Sequence, residues 1–212
     1  MEDKSEMFRQ GWKTTLGARF GLMRCVAAAT LLLVAGCAGP NGGLTTAISY
    51  NQVESAYSPG EVGYAADGRD LRVVVRGKPF AGADRAELEA AVIDGMANQP
   101  GWFVTNYTTT PNETARDLYR VVWLFGVTPQ TSRYAICGAA PGDFVALEQG
   151  GNTVMAGFCR LDQPLTYLGG TLGDVRSLDD PRFRRFVTVA THIVFPRLDP
   201  NRDGRSREDL DR

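Results

Sequence analysis

Histidine is almost missing from this sequence, since His192 is the single one in 212 residues. One imidazole cannot supply a His-rich zinc site, and any Ser-His-Asp arrangement would depend on this one residue. A large excess of positive or negative charge is also missing, because the chain has 23 Lys and Arg and 24 Asp and Glu. Without a basic field, nucleic-acid binding is not expected. The remaining composition, 43% hydrophobic and 22% charged, is typical of one globular domain.

No apolar run in the amino-terminal region is long enough to cross a bilayer. Residues 25–36 form the longest one there, which follows Arg19 and Arg24 and ends before Gly39 and Pro40. A spanning helix needs about 18 or more apolar residues. Basic residues followed by a short apolar run are typical of a secretory signal, so residues 1–36 are predicted to be a signal peptide.

The end of this run, Leu33-Val34-Ala35-Gly36-Cys37, resembles the lipobox of bacterial lipoproteins. The resemblance covers only the leader. It implies cleavage after Gly36, a diacylglycerol thioether at Cys37 and acylation of the new amino group, which together give a durable membrane anchor. Ala38, in place of Asp, implies the outer membrane, with the protein facing the periplasm. An ordinary cleaved signal with a chance cysteine is the alternative.

Two cysteines remain in the mature chain once Cys25 leaves with the signal peptide and Cys37 carries lipid. Because an exported chain enters an oxidising compartment, Cys137 and Cys159 are candidates for a disulfide. Both lie in segments predicted to be strands, so a bridge across the sheet requires their Cα atoms to come within about 7 Å. Two buried free thiols are the alternative.

The mature sequence divides into three parts. Residues 37–66 are rich in Gly, Ser, Thr, Asn and Pro and are predicted to be a lipidated amino terminus and flexible tether, although residues around Ile48–Tyr57 are compatible with a strand. Residues 67–197 are predicted to form a single domain. Residues 198–212 form a charged carboxyl-terminal tail.

Two helices are predicted within the domain. The first begins at Asp84 as N-cap, with Glu87 three residues later, and carries its apolar stripe on Leu88, Ala91, Val92 and Met96. The second begins at Asp180-Pro181, where proline is well placed in the first turn. Its apolar stripe includes Phe183, Phe186, Val187, Ala190, Ile193 and Val194.

Strands are predicted between and beside these helices. They cover residues 71–76, 102–108, 118–125, 134–137, 144–148, 153–160 and 165–168. A helix follows only the first strand and the last, whereas a doubly wound parallel sheet needs alternating helices. The order therefore predicts an α+β fold with a mostly antiparallel sheet of about five to seven strands and two helices on one face.

The tail contains half of a calcium loop. Asp199, Asn201 and Asp203 occupy positions 1, 3 and 5 of an EF-hand or dockerin pattern, and Gly204 occupies position 6. The second half departs from the pattern, because position 12 is Leu210 where a bidentate acid is expected. The sequence predicts a weak calcium site or, alternatively, a solvated tail. No other cofactor is expected.

Three further motifs each have an ordinary explanation. His192 lacks a suitably spaced nucleophile or metal ligand and is expected to be a packed or half-exposed histidine. Arg182, Arg184 and Arg185 are able to meet phosphate groups or an acidic partner, but a solvated helix face is favoured. The glycine-rich segment 169–173 lacks the ending of a phosphate-binding loop and is predicted to be a flexible turn.

No catalytic constellation is found in the sequence. The leading hypothesis is a non-catalytic, lipid-anchored envelope protein that binds another envelope protein or assists an assembly, since open antiparallel edges and arginine-rich loops suit that role. The alternative is a lipoprotein that binds a small ligand, or calcium through the Asp199 loop. A further alternative is an enzyme that uses acids such as Asp143 and Glu148, and it is supported by residue type alone.

Overall fold

The computed structural model describes residues 45–128, 133–138 and 150–199. In chain order the elements are β1 (Thr46–Val53), α1 (Pro59–Ala66), β2 (Arg69–Arg76), α2 (Arg85–Met96), β3 (Thr105–Thr108), β4 (Tyr119–Phe125), a short 3-10 helix (Arg133–Ile136), β5 (Thr153–Arg160), β6 (Gln163–Leu172) and α3 (Pro181–Val194).

These strands form one six-stranded sheet in the order β1-β6-β5-β4-β2-β3. The pairs β1 with β6, β6 with β5 and β5 with β4 are antiparallel. Strand β2 runs parallel to both β4 and β3. The predicted α+β class and mostly antiparallel sheet are therefore confirmed, with three helices in the described residues where two were predicted.

The starts of α2 and α3 follow from their capping residues. The Asp84 carboxylate accepts hydrogen bonds from the backbone N–H groups of Ala86 at 2.9 Å and Glu87 at 3.1 Å. The Asp180 carboxylate accepts one from the N–H of Arg182 at 2.9 Å. Each bond satisfies a donor that has no partner inside its helix, so both predicted start sites are confirmed.

The predicted flexible tether is wrong for Thr46–Val53 and Pro59–Ala66, whereas the strand left open around Ile48–Tyr57 is found as β1. These two segments form β1, which pairs with β6, and α1, which buries Val62, Ala65 and Ala66. Ser58 caps α1 by accepting the N–H of Glu61 at 3.1 Å, and Pro59 occupies the first turn. This capping pattern outweighs the glycine and serine content that favoured a tether.

Two apolar clusters lie on opposite faces of the sheet. The larger contains residues of all three helices, such as Val62, Leu88 and Phe183, packed with strand residues that include Trp123. The smaller lies on the other face and consists of Val122, Leu124, Val127, Ile136, Cys137, Met155, Cys159 and Tyr167. The helices thus cover one face, and the 3-10 helix contributes to the other.

Several predicted strand boundaries are wrong. Residues 134–137 form a 3-10 helix and turn, β3 is confined to Thr105–Thr108, and the short strand at 165–168 is part of the longer β6. The predicted strand at 144–148 lies outside the described residues.

The glycine-rich segment predicted to be a turn lies largely within β6. A Cβ at Gly169 would stand 2.4 Å from the ring of Tyr50, and one at Gly170 would stand 2.6 Å from the carbonyl oxygen of Ala47. These glycines therefore allow β1 to approach β6 closely, which explains their presence within a strand.

Within the described ranges, none of the helices combines the length and the apolar character required to cross a membrane.

Candidate functional site

Cys137 and Cys159 are joined by a disulfide, with their Cα atoms 5.6 Å apart. Cys159 lies in β5 as predicted, whereas Cys137 lies in the turn after the 3-10 helix and not in a strand. Both side chains are buried in the smaller apolar cluster. The bridge therefore fastens the 3-10 helix to the sheet face that the three helices leave uncovered.

Strand β1 forms one edge of the sheet. It pairs with β6 on one side, and none of the described residues forms a strand on its other side. The eight residues of β1 contain no charged side chain and no proline. Five of them are exposed: Ala47, Ser49, Tyr50, Asn51 and Gln52. This edge lacks the charges and prolines by which many proteins prevent strand pairing.

The pairing of β1 with β6 is irregular at its middle, where the register shifts between Ile48 and Tyr50. The Tyr50 ring lies against Gly169 and packs edge-to-face on Tyr167, with ring centroids 6.4 Å apart. Partial burial and the neighbouring Tyr167 raise the pKa of the Tyr50 hydroxyl. Tyr50 nevertheless keeps 49% of its surface exposed, which leaves an aromatic contact surface at the edge.

A groove of about 900 Å³ lies between α2 and the start of α3. Its lining includes apolar side chains such as Phe80 and Phe183, together with charged ones. Arg184 of α3 contacts Asp94 of α2 at 3.3 Å, at this groove. The groove is thus a mixed surface, in which the Arg184–Asp94 ion pair lies beside apolar side chains.

The arginine cluster at the start of α3 is divided among different environments. Arg182 forms an ion pair with its own N-cap, Asp180, at 2.6 Å, and Arg184 pairs with Asp94. The hydrogen bonds and charge of Arg182 lower the pKa of the Asp180 carboxyl. Arg185 is exposed. The three side chains do not converge on one described site.

Of the residues in the predicted calcium loop, the structure describes only Asp199. Asp199 is 5% exposed, and its charge adds to burial in raising the pKa of the Tyr57 hydroxyl. Asn201, Asp203, Gly204 and Leu210 lie outside the described residues. In the part of the chain that the structure describes, no group of three or more His, Cys, Asp or Glu side chains is placed to hold a metal ion.

The remaining predicted residues are placed as follows. His192 is exposed on α3. Cys37, Asp143 and Glu148 lie outside the described residues, so their predicted roles stay predictions.

A polar cluster that the sequence did not indicate joins α1 to the sheet. The carboxylate of Glu61 accepts the Tyr119 hydroxyl at 2.6 Å and an Arg160 N–H at 2.8 Å, both at the same oxygen. Burial and the bond to Glu61 raise the pKa of Tyr119 to about 12. Tyr119 and Arg160 lie 58 and 99 positions after Glu61 in the chain, so no local spacing reveals this cluster.

Comparison with known proteins finds no matching protein family, no matching curated protein and no matching solved structure.

Proposed function

We propose that this chain is a non-catalytic lipoprotein of the bacterial envelope that is anchored through acyl chains on Cys37. Its folded domain faces the periplasm and binds another envelope protein. The partner adds a strand to the exposed edge of β1. The observation that supports this most is the character of that edge, which is eight residues long, uncharged and free of proline.

Strand addition follows from elementary backbone chemistry. An edge strand presents a row of N–H and C=O groups, and a second extended chain satisfies them by forming a new pair of strands. Exposed side chains such as Tyr50 then supply the contacts that select the partner. The opposite edge, β3, has only four residues and offers fewer backbone groups.

The proposed compartment is supported by the pairing of Cys137 with Cys159. Structural disulfides persist in oxidising compartments such as the periplasm and are rare in the cytosol. A lipidated Cys37 places the folded domain in that compartment.

Crosslinking in intact cells, followed by mass spectrometry, tests the proposal. Asn51→Lys places a charge on the exposed side of β1 and is expected to lower the yield of a crosslinked partner at least several-fold. Val104→Lys is the matched control, because Val104 is 77% exposed beside β3 at the other edge. Equal partner yields from both variants would exclude β1 as the docking edge.

The calcium alternative remains a separate proposal. Asp199, at the first position of the predicted calcium loop, is buried in the domain, and the other positions of the loop follow it directly in the sequence. Calorimetric titration of calcium into the wild type and Asp203→Ala tests it, with a weak signal expected only from the wild type.

A further inference from the structure

A cleft of about 340 Å³ lies on the sheet face opposite the helices. Three arginines and one acid supply its charged lining: Arg72, Arg76, Arg120 and Asp117. Its apolar lining comes from Val74, Val122, Leu124, Ile136 and Cys137. The cleft is distinct from both the β1 edge and the groove between α2 and α3.

The sheet geometry brings these arginines together. Residues Arg72, Val74 and Arg76 alternate along β2 and therefore point to the same face. Arg120 of β4 is the direct register partner of Arg72 in this parallel pair. Like charges directly opposite each other on neighbouring strands are destabilising, so the arrangement has a cost that a bound anion would offset.

The electrostatics of Arg120 reflect this crowding. Burial and the nearby charges of Arg76 and Arg72 lower the pKa of its guanidinium, whereas Asp162 acts in the opposite direction. Of the guanidiniums in the lining, those of Arg72 and Arg120 are brought together by the register of β2 and β4.

The disulfide positions the central arginine. A guanidinium N–H of Arg120 donates a hydrogen bond to the carbonyl oxygen of Cys137, which the bridge to Cys159 fastens to β5. One end of the Arg120 guanidinium is thereby fixed. A guanidinium held in this way is suited to bind an oxyanion, because less side-chain entropy is lost on binding.

We propose that this cleft binds a phosphate monoester, with the phosphate between Arg72 and Arg120 and the ester group over the apolar floor. A phosphate monoester carries about −1.5 to −2 charges at pH 7, which compensates the repulsion between these two guanidiniums. Planar guanidiniums pair with phosphate oxygens through two parallel hydrogen bonds. The apolar floor, including Val74 and Val122, accommodates a hydrocarbon group beside the phosphate. This site does not depend on the proposed lipid anchor or on the β1 edge.

Calorimetric titration of the full chain at constant ionic strength tests the proposal, with phenyl phosphate, inorganic phosphate and chloride as probes. Phenyl phosphate is expected to bind more tightly than inorganic phosphate, and chloride is expected to give no saturable binding. Arg72→Gln is expected to weaken phenyl phosphate binding at least tenfold. Arg185→Gln removes the same charge from the exposed surface of α3 and is expected to leave binding unchanged.

A conservative variant separates hydrogen-bond geometry from charge. Arg120→Lys keeps the positive charge but loses the planar fork, so a several-fold weakening is expected. Far-UV circular dichroism and the thermal midpoint establish that each variant is folded. Equal weakening by Arg72→Gln and Arg185→Gln, or saturable chloride binding as tight as that of phenyl phosphate, would overturn the proposal.

A phosphate monoester can come from a free phosphate ester or from a lipid headgroup. Flotation with vesicles of phosphatidylcholine containing phosphatidic acid, compared with phosphatidylcholine alone, distinguishes the two sources. Flotation that requires phosphatidic acid and Arg72 assigns the site to a lipid headgroup. Binding of phenyl phosphate without such flotation assigns it to a free phosphate ester. Absence of both would overturn the proposal.

Discussion

Arg160 donates a hydrogen bond to Glu61 across 2.8 Å and thereby joins the end of β5 to α1. The Tyr119 hydroxyl, on the neighbouring β4, donates to the same carboxylate oxygen. Glu61 thus holds the first helix against two central strands. This contact accounts for an ordered α1 in a segment whose composition suggested a flexible tether.

We expect Glu61→Gln to lower the free energy of unfolding by about 1 kcal/mol, because an uncharged amide replaces the carboxylate that both donors share. Urea unfolding measures the change. Glu113→Gln is the matched control, since Glu113 is exposed on a loop. An equal effect of the two substitutions would show that the Glu61 cluster contributes nothing specific.

The sequence predicted those features that depend on local chemistry. Asp84 and Asp180 were identifiable because a capping carboxylate acts within three residues of itself. The strand predicted at residues 118–125 was likewise identifiable, and β4 covers Tyr119–Phe125. The α+β class followed from the order of these elements.

The missed features depend on contacts between distant residues. Gly169 and Gly170 suggested a turn, yet they are strand residues because β1 packs closely on them. The pairing of Arg72 with Arg120 arises from the parallel register of β2 and β4, which are not adjacent in the chain. Such register is fixed by the tertiary fold, so sequence spacing alone does not reveal the arginine cleft.

Reduction of the Cys137–Cys159 disulfide is expected to lower the free energy of unfolding by about 3 kcal/mol, given that it links positions 22 residues apart. Urea unfolding with and without reductant measures this loss. The Cys137→Ser, Cys159→Ser double variant is the control, because reductant should not change its stability further. Alkylation of both thiols in the unreduced, folded wild type would contradict the bridge.

Two helical glycines should respond in opposite directions to the same substitution. A Cβ at Gly63 of α1 has nothing within 4 Å, so Gly63→Ala is expected to stabilise the fold by up to about 1 kcal/mol through helix propensity. A Cβ at Gly95 of α2 would stand 2.7 Å from a methyl group of Val187 on α3. Gly95→Ala is therefore expected to destabilise by about 1–3 kcal/mol. Thermal unfolding compares them, and a stabilising Gly95→Ala would contradict the close packing of α2 on α3.

Acid stability should depend on Asp70. Its carboxylate accepts the backbone N–H of Asn112 and an amide N–H of Asn106, each at 2.9 Å, and these bonds lower its pKa. A depressed pKa stabilises the fold fully above the ordinary value of about 3.9, and that stabilisation is lost as the pH falls through the folded-state pKa. Asp70→Asn should therefore flatten the fall in stability below about pH 4. Asp179→Asn, at an exposed position, is the control, and the same flattening in both variants would contradict a specific role for Asp70.

Cys37 provides the sharpest test of the predicted membrane anchor. A thioether-linked diacylglycerol and an acylated amino group add several long hydrocarbon chains, and each buried CH₂ contributes about 0.8 kcal/mol to membrane binding. Wild-type protein should therefore fractionate with membranes and have a mass larger than that of its polypeptide by the lipid. Cys37→Ser should lose both properties, whereas Cys25→Ser, within the predicted signal peptide, should keep them. A Cys37→Ser variant with unchanged mass and fractionation would contradict lipidation at this residue.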